Sequence, residues 1–269
     1  MLTTKQAQTT QPAIGVETPA PAPEAAAGAF VDPEPIDWEQ ECPRSFYARH
    51  GHRALDLVLL TIALPLAAIP AFAIALVNAV VFGDPRQILF VQERVGFRGK
   101  RFAIYKFRTM RAARESSMDS WTQGQDTLRV TRFGRFLRNA HLDELPQLLN
   151  VLKGDMSFIG PRPEMVEIED WAASRVPGFS RRLALRPGIS GYAQITQGYT
   201  GCDEEAYAEK LAINEHYLRT ISLRTDLEIV LRTIVWMMRG KGWDWKPAPV
   251  DPTAVRASSG RAATEKSVA

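Results

Sequence analysis

Cysteine and histidine are scarce in this chain of 269 residues, which contains two of the first and four of the second. Cys42 and Cys202 lie far apart and belong to neither a CxxC motif nor a Cys/His ligand pattern. Neither a zinc site nor a disulfide framework is therefore expected, and a reducing, cytoplasmic environment is the default prediction.

Charge is absent from residues 57–83. At about 1.5 Å per residue, a helix over this run would exceed the roughly 30 Å of bilayer hydrocarbon, which predicts a membrane segment. Pro65 and Pro70 remove backbone hydrogen bonds in its middle, where lipid cannot replace them. Basic residues flank both ends, which favours the cytoplasmic side for each: Arg44, Arg49 and Arg53 before the run, and Arg86, Arg94, Arg98, Lys100 and Arg101 after it. The residues alone leave a kinked spanning helix and a re-entrant hairpin equally open.

Apolar periodicity is missing from both ends of the chain. Residues 1–36 are rich in Ala, Pro, Thr and Glu and cannot bury enough surface to offset the entropy of ordering. We predict disordered tails at 1–43 and 247–269, a membrane segment at 44–84 and a folded domain at 85–246. No basic stretch leads directly into an apolar core in the first tail, so a secretory signal is not indicated there.

The charge is unevenly distributed along the chain. The formal net charge is only +3, but residues 1–40 hold six acids against one base, so the remainder is distinctly basic. Such a balance suits a phosphate-bearing ligand, an anionic membrane surface or nucleic acid, and does not choose among them. The 45% hydrophobic content is ample for a folded core.

Two β-rich segments, 88–92 and 101–110, are separated by the turn-like Gly96-Phe97-Arg98-Gly99 and predict a β-hairpin. Period-two alternation places Lys106 and Arg108 on one face, where both could point at an anion. Two solvated cations on an edge strand are the equally open alternative.

The most informative stretch is HLDELPQLLNVLKGDMSFIGPRPE, residues 141–164. Asp143 and Glu144, hereafter the acid pair, precede leucines at three- and four-residue steps, which predicts a helix that begins at the pair. Pro146 fits a first helical turn. Free N–H groups and the helix dipole at such a position favour ionised carboxylates and attract phosphate. A simple Asp N-cap beside a solvated Glu is the more usual explanation of a bare acid pair.

Two groups of cations flank the acid pair in sequence. After it, Gly160-Pro161-Arg162-Pro163, hereafter the proline loop, predicts a stiff turn with one fixed positive charge. Before it, arginines recur at every third position and predict a basic helical stripe, although Gly134 weakens that helix. The members of the stripe are Arg129, Arg132, Arg135 and Arg138. Such a stripe is usually solvated or faces headgroups, and only proximity to the acid pair favours a phosphate role for Arg138.

The last third of the chain predicts a turn, a strand and two helices. Arg186-Pro187-Gly188 is a turn before a short apolar strand candidate, and the acids at 203–205 open a helix with an apolar stripe. A further helix is predicted at about 226–239. Its end mixes Trp and Met with basic residues, which is typical of a membrane interface, with core packing as the alternative. These residues are Trp236, Met237, Met238, Arg239, Lys241, Trp243, Trp245 and Lys246.

Taken in order, these pieces resemble the bacterial sugar transferases, the monotopic phosphoglycosyl transferases that start polysaccharide and glycan assembly on a polyprenol carrier. The matching stretches cover about residues 50–240. They are the apolar segment, QERVGFRGKRFAIYKFRTM, TRFGRFLRNAHLDELPQLLNVLKGDMSFIGPRPE, RPGISGYAQI and SLRTDLEIVLRTI. The resemblance implies a compact, mainly helical α+β monotopic membrane domain with a short β-hairpin. Its anchors would be a re-entrant membrane helix broken near Pro70 and interfacial amphipathic helices.

The resemblance also implies an activity and its partners. A sugar-1-phosphate would move from a nucleotide diphosphate sugar, with a UDP-hexose expected, to undecaprenyl phosphate. The reaction would take place at the cytoplasmic face of the bacterial inner membrane, as the first membrane step of exopolysaccharide, capsule or glycan assembly. Membrane lipids are expected partners, nucleic acid is not, and a homo-oligomer is left open.

The resemblance assigns roles to individual residues. Asp143 would be the nucleophile that forms a phosphosugar-aspartate, and Glu144 would help to hold Mg²⁺ at the diphosphate. The expected phosphate- or nucleotide-binding set is Lys106, Arg108, Arg138, Arg162, Pro163 and Arg186. Histidine base catalysis is not required, so a capping or supporting role is expected for His141.

Two departures from the family pattern limit the transfer. Ile69 precedes Pro70 where many members carry a small polar residue, and Pro65 is an additional break, so the apex of the hairpin is left at Pro65 or Pro70. Residues 194–199, QITQGY, depart from the commoner continuation, so the sugar is left open. The rival functions are a membrane-tethered nucleic-acid-binding module and a non-catalytic scaffold for polysaccharide export, neither of which requires the acid pair.

Overall fold

The computed structural model describes residues 36–111, 129–198 and 201–239. Most of both predicted tails, nearly all of the polar segment 111–126 and the residues Lys241, Trp243, Trp245 and Lys246 lie outside this range. Within it the fold is α+β, as predicted: helices predominate and two small sheets accompany them. A short helix α1, Trp38–Glu41, lies within the range predicted as tail, with Asp37 as its N-cap.

One long helix carries the uncharged run. A π-helical turn, Tyr47–Gly51, leads into α2, His52–Phe82, which ends at Gly83 in the left-handed region. By length and composition this helix is able to cross a bilayer. Its backbone stays helical through Pro65 and Pro70, so the predicted break is not seen between residues 52 and 82.

Helix α2 packs on the rest of the domain on both sides of the prolines. One face of α2 lies against the rest of the domain through Leu60 before them and Ile74 after them, both almost fully buried. The opposite face exposes large apolar side chains. These include Leu57, Val58, Ile62, Leu66, Ile69, Phe72, Leu76 and Val80.

The predicted hairpin is confirmed. A 3₁₀ turn, Pro85–Gln87, precedes β1, Leu89–Val95, which pairs antiparallel with β2, Arg101–Phe107, in a register that sets Phe90 opposite Lys106. The 3₁₀ turn Phe97–Gly99 joins the strands. Arg98 occupies the left-handed region within that turn, with φ of 54°.

The predicted arginine helix is α3, Arg132–Asn139, with Thr131 as its N-cap. Arg129 precedes the helix. Gly134, expected to weaken the helix, is instead required by packing, because a Cβ there would lie 2.1 Å from the Thr109 carbonyl oxygen. The absent side chain lets the helix lie directly on the segment that follows β2.

A second, two-stranded sheet holds the proline loop. A 3₁₀ helix, Leu142–Gln147, and helix α4, Leu148–Lys153, lead to β3, Ser157–Ile159, which pairs in parallel with β4, Gly188–Ser190. The backbones cross closely beyond β3, since a Cβ on Gly188 would lie 2.1 Å from the Gly160 nitrogen. Glycine at these positions therefore permits the crossing.

The remaining helices build the other side of the core. They are α5, Val166–Arg175; the 3₁₀ helix Phe179–Ala184; α6, Tyr192–Thr196; α7, Glu204–Thr220; and α8, Leu223–Met238. The two long helices confirm the sequence prediction to within a few residues. Helix α8 buries Ile229 and exposes an apolar face that includes Leu227, Leu231, Ile234, Val235 and Met238.

Candidate active site

The acid pair lies in the first turn of a 3₁₀ helix that continues into α4. The cap position belongs to His141, whose φ of 55° places it in the left-handed region and whose side chain makes no capping hydrogen bond. The imidazole instead packs on the Trp236 ring, with centroids 5.3 Å apart. The alternative of an Asp N-cap beside a solvated Glu is therefore wrong, and His141 does not cap the turn through its side chain.

Glu144 is held by two cations that come from distant segments. Its Oε1 lies 2.6 Å from Lys106 Nζ and 3.6 Å from Arg162 Nη2, and its side chain is only 13% exposed. Burial by itself would raise the pKa of Glu144, but Lys106 and Arg162 outweigh it and hold that pKa at about 2. Glu144 therefore stays ionised over the physiological range.

Asp143 has a different environment although it is the adjacent residue. It is 8% exposed, and no residue that the structure describes forms an ion pair with it. Burial raises the pKa of Asp143 to about 6, with Glu144 acting in the same direction and with Lys106 and Arg138 opposing. Two neighbouring carboxylates whose pKa values are pushed apart are suited to different chemical roles.

Arg138 reaches the site from α3. Its Nε donates to the Thr109 hydroxyl at 3.0 Å, and Nη2 lies 2.7 Å from the Met110 sulfur. The positive charge acts on Asp143 and counters the effect of burial on its pKa. Arg138 is thus steered by the segment after β2 and remains exposed enough to meet a ligand.

A second set of charged residues, hereafter the support cluster, fixes the backbone of the proline loop. It consists of Glu164, Lys210, Glu169 and Arg182. Lys210 Nζ donates to Glu164 at 3.0 Å, and Arg182, which is fully buried, pairs with Glu169. Arg182 Nη1 also donates to the Arg162 carbonyl at 2.9 Å. The backbone of Arg162, one of the two cations that contact Glu144, is therefore fixed by buried charges.

Two residues of the predicted phosphate-binding set are engaged away from the acid pair. Arg108 Nε donates to the Gln87 carbonyl at 3.1 Å, although Lys106 on the same strand reaches Glu144. Arg186 Nε donates to the Gly154 carbonyl at 3.0 Å, beyond the end of α4. Their phosphate roles stay predictions. The structure does bring Lys106, Arg162 and Arg138 around the acid pair, and it places Pro163 where its carbonyl accepts from Arg94.

Three residues that shape the site were not singled out from the sequence. Thr109 orients Arg138, and Arg182 fixes the proline loop. Asn150, fully buried on α4, accepts from the Tyr105 nitrogen and donates to the Ala103 carbonyl, and so aligns β2 with the acid pair. Asparagine in a leucine-rich helix was the one available signal, because a buried amide must find partners.

The residues fit Mg²⁺ in one particular manner. In the described part of the chain no three His, Cys, Asp or Glu side chains cluster as a metal cage. Mg²⁺ commonly takes one or two carboxylates and completes its shell with water and substrate phosphate oxygens. Glu144, already ionised and contacted at Oε1, suits that arrangement, in which most ligands come from a bound diphosphate.

A known protein family matches most of the chain. The model of the family described as "Bacterial sugar transferase" matches residues 47–240, which include every residue of the site above. The chain belongs to the bacterial sugar transferase family. The predicted resemblance is thereby confirmed.

Several relatives of this chain carry related names. A protein of Caulobacter vibrioides named "UDP-glucose:undecaprenyl-phosphate glucose-1-phosphate transferase" is 43% identical over 188 residues, 68% of this chain and 67% of that protein. A protein of Aeromonas hydrophila named "UDP-N-acetylgalactosamine-undecaprenyl-phosphate N-acetylgalactosaminephosphotransferase" is 39% identical over 71% of this chain and 44% of its own length. A glucose-1-phosphate transferase of Escherichia coli strain K12 with the same name as the Caulobacter protein is 36% identical over 72% of this chain and 41% of its own length. The chain thus spans less than half of two of these relatives.

Proposed function

We propose that this chain transfers a sugar-1-phosphate from a nucleotide diphosphate sugar, with UDP-hexoses as first candidates, to undecaprenyl phosphate. The product would begin exopolysaccharide, capsule or glycan assembly at the cytoplasmic face of the bacterial inner membrane. Family membership and the names of the relatives support the reaction class. The observation that carries the mechanism is the unequal pair of carboxylates, in which Glu144 is bound by two cations and Asp143 by none among the described residues.

Asp143 is the nucleophile in this proposal. A carboxylate oxygen attacks the sugar-bearing phosphorus, the Asp143–phosphorus bond forms, and the bond to the nucleotide oxygen breaks to release nucleoside monophosphate. An oxygen of the lipid phosphate then attacks the same phosphorus and releases the Asp143 carboxylate. Splitting the transfer into two displacements avoids bringing two highly charged phosphates together in one transition state.

The surrounding charges lower the cost of that attack. A carboxylate approaching a diphosphate is repelled unless positive charge neutralises the phosphate oxygens. In this proposal Arg138 and the guanidinium of Arg162 supply that charge, while Lys106 and Arg162, both in contact with Glu144, keep Glu144 ionised and oriented. Bound Mg²⁺, held by Glu144 and the diphosphate, would add charge neutralisation at the leaving group.

The rival functions explain less of this geometry. A nucleic-acid-binding module would use arginines, but it has no need of two buried carboxylates beside them. A scaffold for polysaccharide export would tolerate loss of Asp143. Both rivals predict no chemistry with nucleotide sugars.

The test is to look for the covalent intermediate. Enzyme, Mg²⁺ and a panel of nucleotide sugars, without lipid acceptor, should yield about one equivalent of nucleoside monophosphate and a phosphosugar mass increment on the peptide that contains Asp143. Asp143→Asn should show neither. Glu144→Gln should keep donor binding and lose most of the rate. The two-step mechanism would be contradicted by two results obtained under conditions that support turnover. The peptide would stay unmodified, and nucleoside monophosphate would be released only after undecaprenyl phosphate is added.

We propose further that α2 enters the membrane from the cytoplasmic side and does not cross it, so that both ends of the helix lie on the cytoplasmic side. The support is that the same domain holds both parts of the helix: Asp56 accepts from the Ser157 hydroxyl at 2.7 Å, and Asn78 donates to the Ile88 carbonyl at 3.1 Å. A helix crossing the bilayer would carry one of these contacts to the other side. In a Cys42→Ser, Cys202→Ser background, the variants His50→Cys and Lys100→Cys should each be labelled by impermeant thiol reagents only from the cytoplasmic side. Labelling of either from the periplasm would establish a spanning helix.

A further inference from the structure

A buried amide interrupts the apolar surface of α2. Asn78 is 1% exposed, and burying an amide in apolar surroundings is costly unless it is hydrogen-bonded. Its Nδ2 donates to two backbone carbonyls, Ile88 at 3.1 Å and Arg108 at 3.0 Å. The first lies just before β1 and the second just after β2. Asn78 therefore joins the open end of the hairpin to α2 by two hydrogen bonds.

The backbone joined in this way continues directly into the residue that orients Arg138. Thr109 follows Arg108 and is 6% exposed. Its hydroxyl accepts from Arg138 Nε at 3.0 Å, and its carbonyl accepts from the nitrogen of Thr131, the N-cap of α3, at 3.0 Å. Gly134 of α3 lies against the same carbonyl. The helix that carries Arg138 and the side chain of Arg138 are thus both positioned by Thr109.

These contacts form one continuous path from the apolar helix to Arg138. It runs from the Asn78 amide to the Arg108 carbonyl, through the peptide bond to Thr109, and by a hydrogen bond to the Arg138 guanidinium. The two residues that lead to Arg138 along this path, Asn78 and Thr109, are both buried. A misplacement of about 1 Å in such a group can cost about 100-fold in rate.

We propose that Asn78 is a positioning residue, which couples the seating of α2 on the domain to the placement of Arg138 at the reacting phosphate. Asn78 does not touch substrate in this account. The functional part of the proposal rests on the proposed transferase activity. The positional part stands on the hydrogen bonds alone.

The kinetic test is a double-mutant cycle between Asn78 and Thr109. Asn78→Leu keeps the size of the side chain and removes both donors, and it should lower kcat by roughly 10- to 100-fold with a smaller change in the KM of the donor. UDP-glucose and UDP-N-acetylgalactosamine are the donors, and undecaprenyl phosphate is the acceptor. Val80→Ala is the matched control, because Val80 lies on the same helix and is 83% exposed. This variant should leave kcat unchanged.

Thr109→Val removes the hydroxyl that orients Arg138, whereas Thr109→Ser retains it and should preserve activity. If Asn78 acts through Thr109, Asn78→Leu should lower kcat by less than about twofold further in the Thr109→Val background, because coupled residues are not additive. The same fold loss in both backgrounds would show an independent structural effect and overturn the proposal. If Asn78→Leu does not fold, Asn78→Ser, which retains one donor, replaces it in the cycle.

A second measurement needs no substrate. Amide hydrogen exchange followed by mass spectrometry should show faster exchange in Asn78→Leu at Arg108 and Thr131, whose amides donate to the Ile88 and Thr109 carbonyls, and no change around Glu164. Unchanged exchange at Arg108 and Thr131 would overturn the positional part of the proposal. A wild-type chain that uses no nucleotide sugar would refute the proposed function, and the exchange result would still decide whether Asn78 positions this segment.

Discussion

The acid pair and the support cluster are both groups of buried charge, and they differ in how those charges are matched. In the support cluster each carboxylate has its own cation, Glu164 with Lys210 and Glu169 with Arg182. At the acid pair, Lys106 and Arg162 both bind the same carboxylate, that of Glu144, and no described residue forms an ion pair with Asp143.

The difference distinguishes chemistry from support. A buried carboxylate in contact with its own cation is less open to an incoming electrophile, whatever its pKa: at Glu169 burial outweighs Arg182 and raises the pKa to about 7. Burial would raise the pKa of Glu164, but Lys210 and Arg182 outweigh it and bring that pKa below its ordinary range. Burial without an ion-pair partner among the described residues raises the pKa of Asp143 to about 6. Its carboxylate is therefore a more basic anion and a better nucleophile near neutral pH.

The largest expected effect is at Asp143. Asp143→Asn should lower transfer to undecaprenyl phosphate by about 1,000-fold or more, as loss of a covalent nucleophile does. The midpoint of thermal unfolding should not fall, because the change removes a buried charge that has no ion-pair partner among the described residues. A marked loss of stability in calorimetry would mean that Asp143 is a structural anion like those of the support cluster.

The next effect is on stability and concerns the support cluster. Arg182→Met leaves Glu169 buried without its cation, and should lower the free energy of unfolding by about 3–5 kcal/mol. The double variant Arg182→Met, Glu169→Leu should recover part of that loss, because no unpaired charge remains. Arg181→Met is the control, since that neighbouring arginine is 46% exposed. Equal losses for the two arginines in denaturant titration would contradict the role given to the support cluster.

A smaller effect is expected at Arg138. Arg138→Lys keeps the charge and loses the planar, forked donor that matches phosphate oxygens, so kcat should fall by about 10- to 100-fold while expression and membrane association persist. Arg132→Lys, on the exposed part of the same helix, should be indistinguishable from wild type. Wild-type kinetics for Arg138→Lys would reduce Arg138 to a surface or lipid contact.

The smallest effect is expected at an exposed ion pair, which serves as a reference for the buried ones. Arg219 and Glu215 form an exposed pair one helical turn apart on α7, at 2.9 Å, and the arginine side chain is 76% exposed. Arg219→Ala should change the free energy of unfolding by only about 0.3–0.5 kcal/mol and leave the rate unchanged. A larger change would show that exposure is a poor guide to the value of charge pairs in this protein.

The elements that were predicted correctly depend on nearby residues. Period-two alternation with a glycine-bounded turn was sufficient for the hairpin, and leucine spacing was sufficient for a helix after the acid pair. The strands Ser157–Ile159 and Gly188–Ser190 are different, because three residues are too few to show alternation and their pairing is decided by two glycines that meet in space. The path of α2 depends on distant residues in the same way: contacts with the domain lie on both sides of Pro65 and Pro70, and no local pattern reports them. The re-entrant path expected for this segment stays a prediction.

The sequence by itself determined the family, the acid pair, the proline loop and the apolar helix, because each is carried by residues close together along the chain. Only the tertiary structure decided how the two carboxylates differ. Lys106 lies 38 residues from Glu144 in sequence, and Arg182 lies 20 residues from the loop residue that it supports. Charge pairing depends on distance in space and on burial, so which of two adjacent acids is left unpaired is a property that the folded chain alone can express.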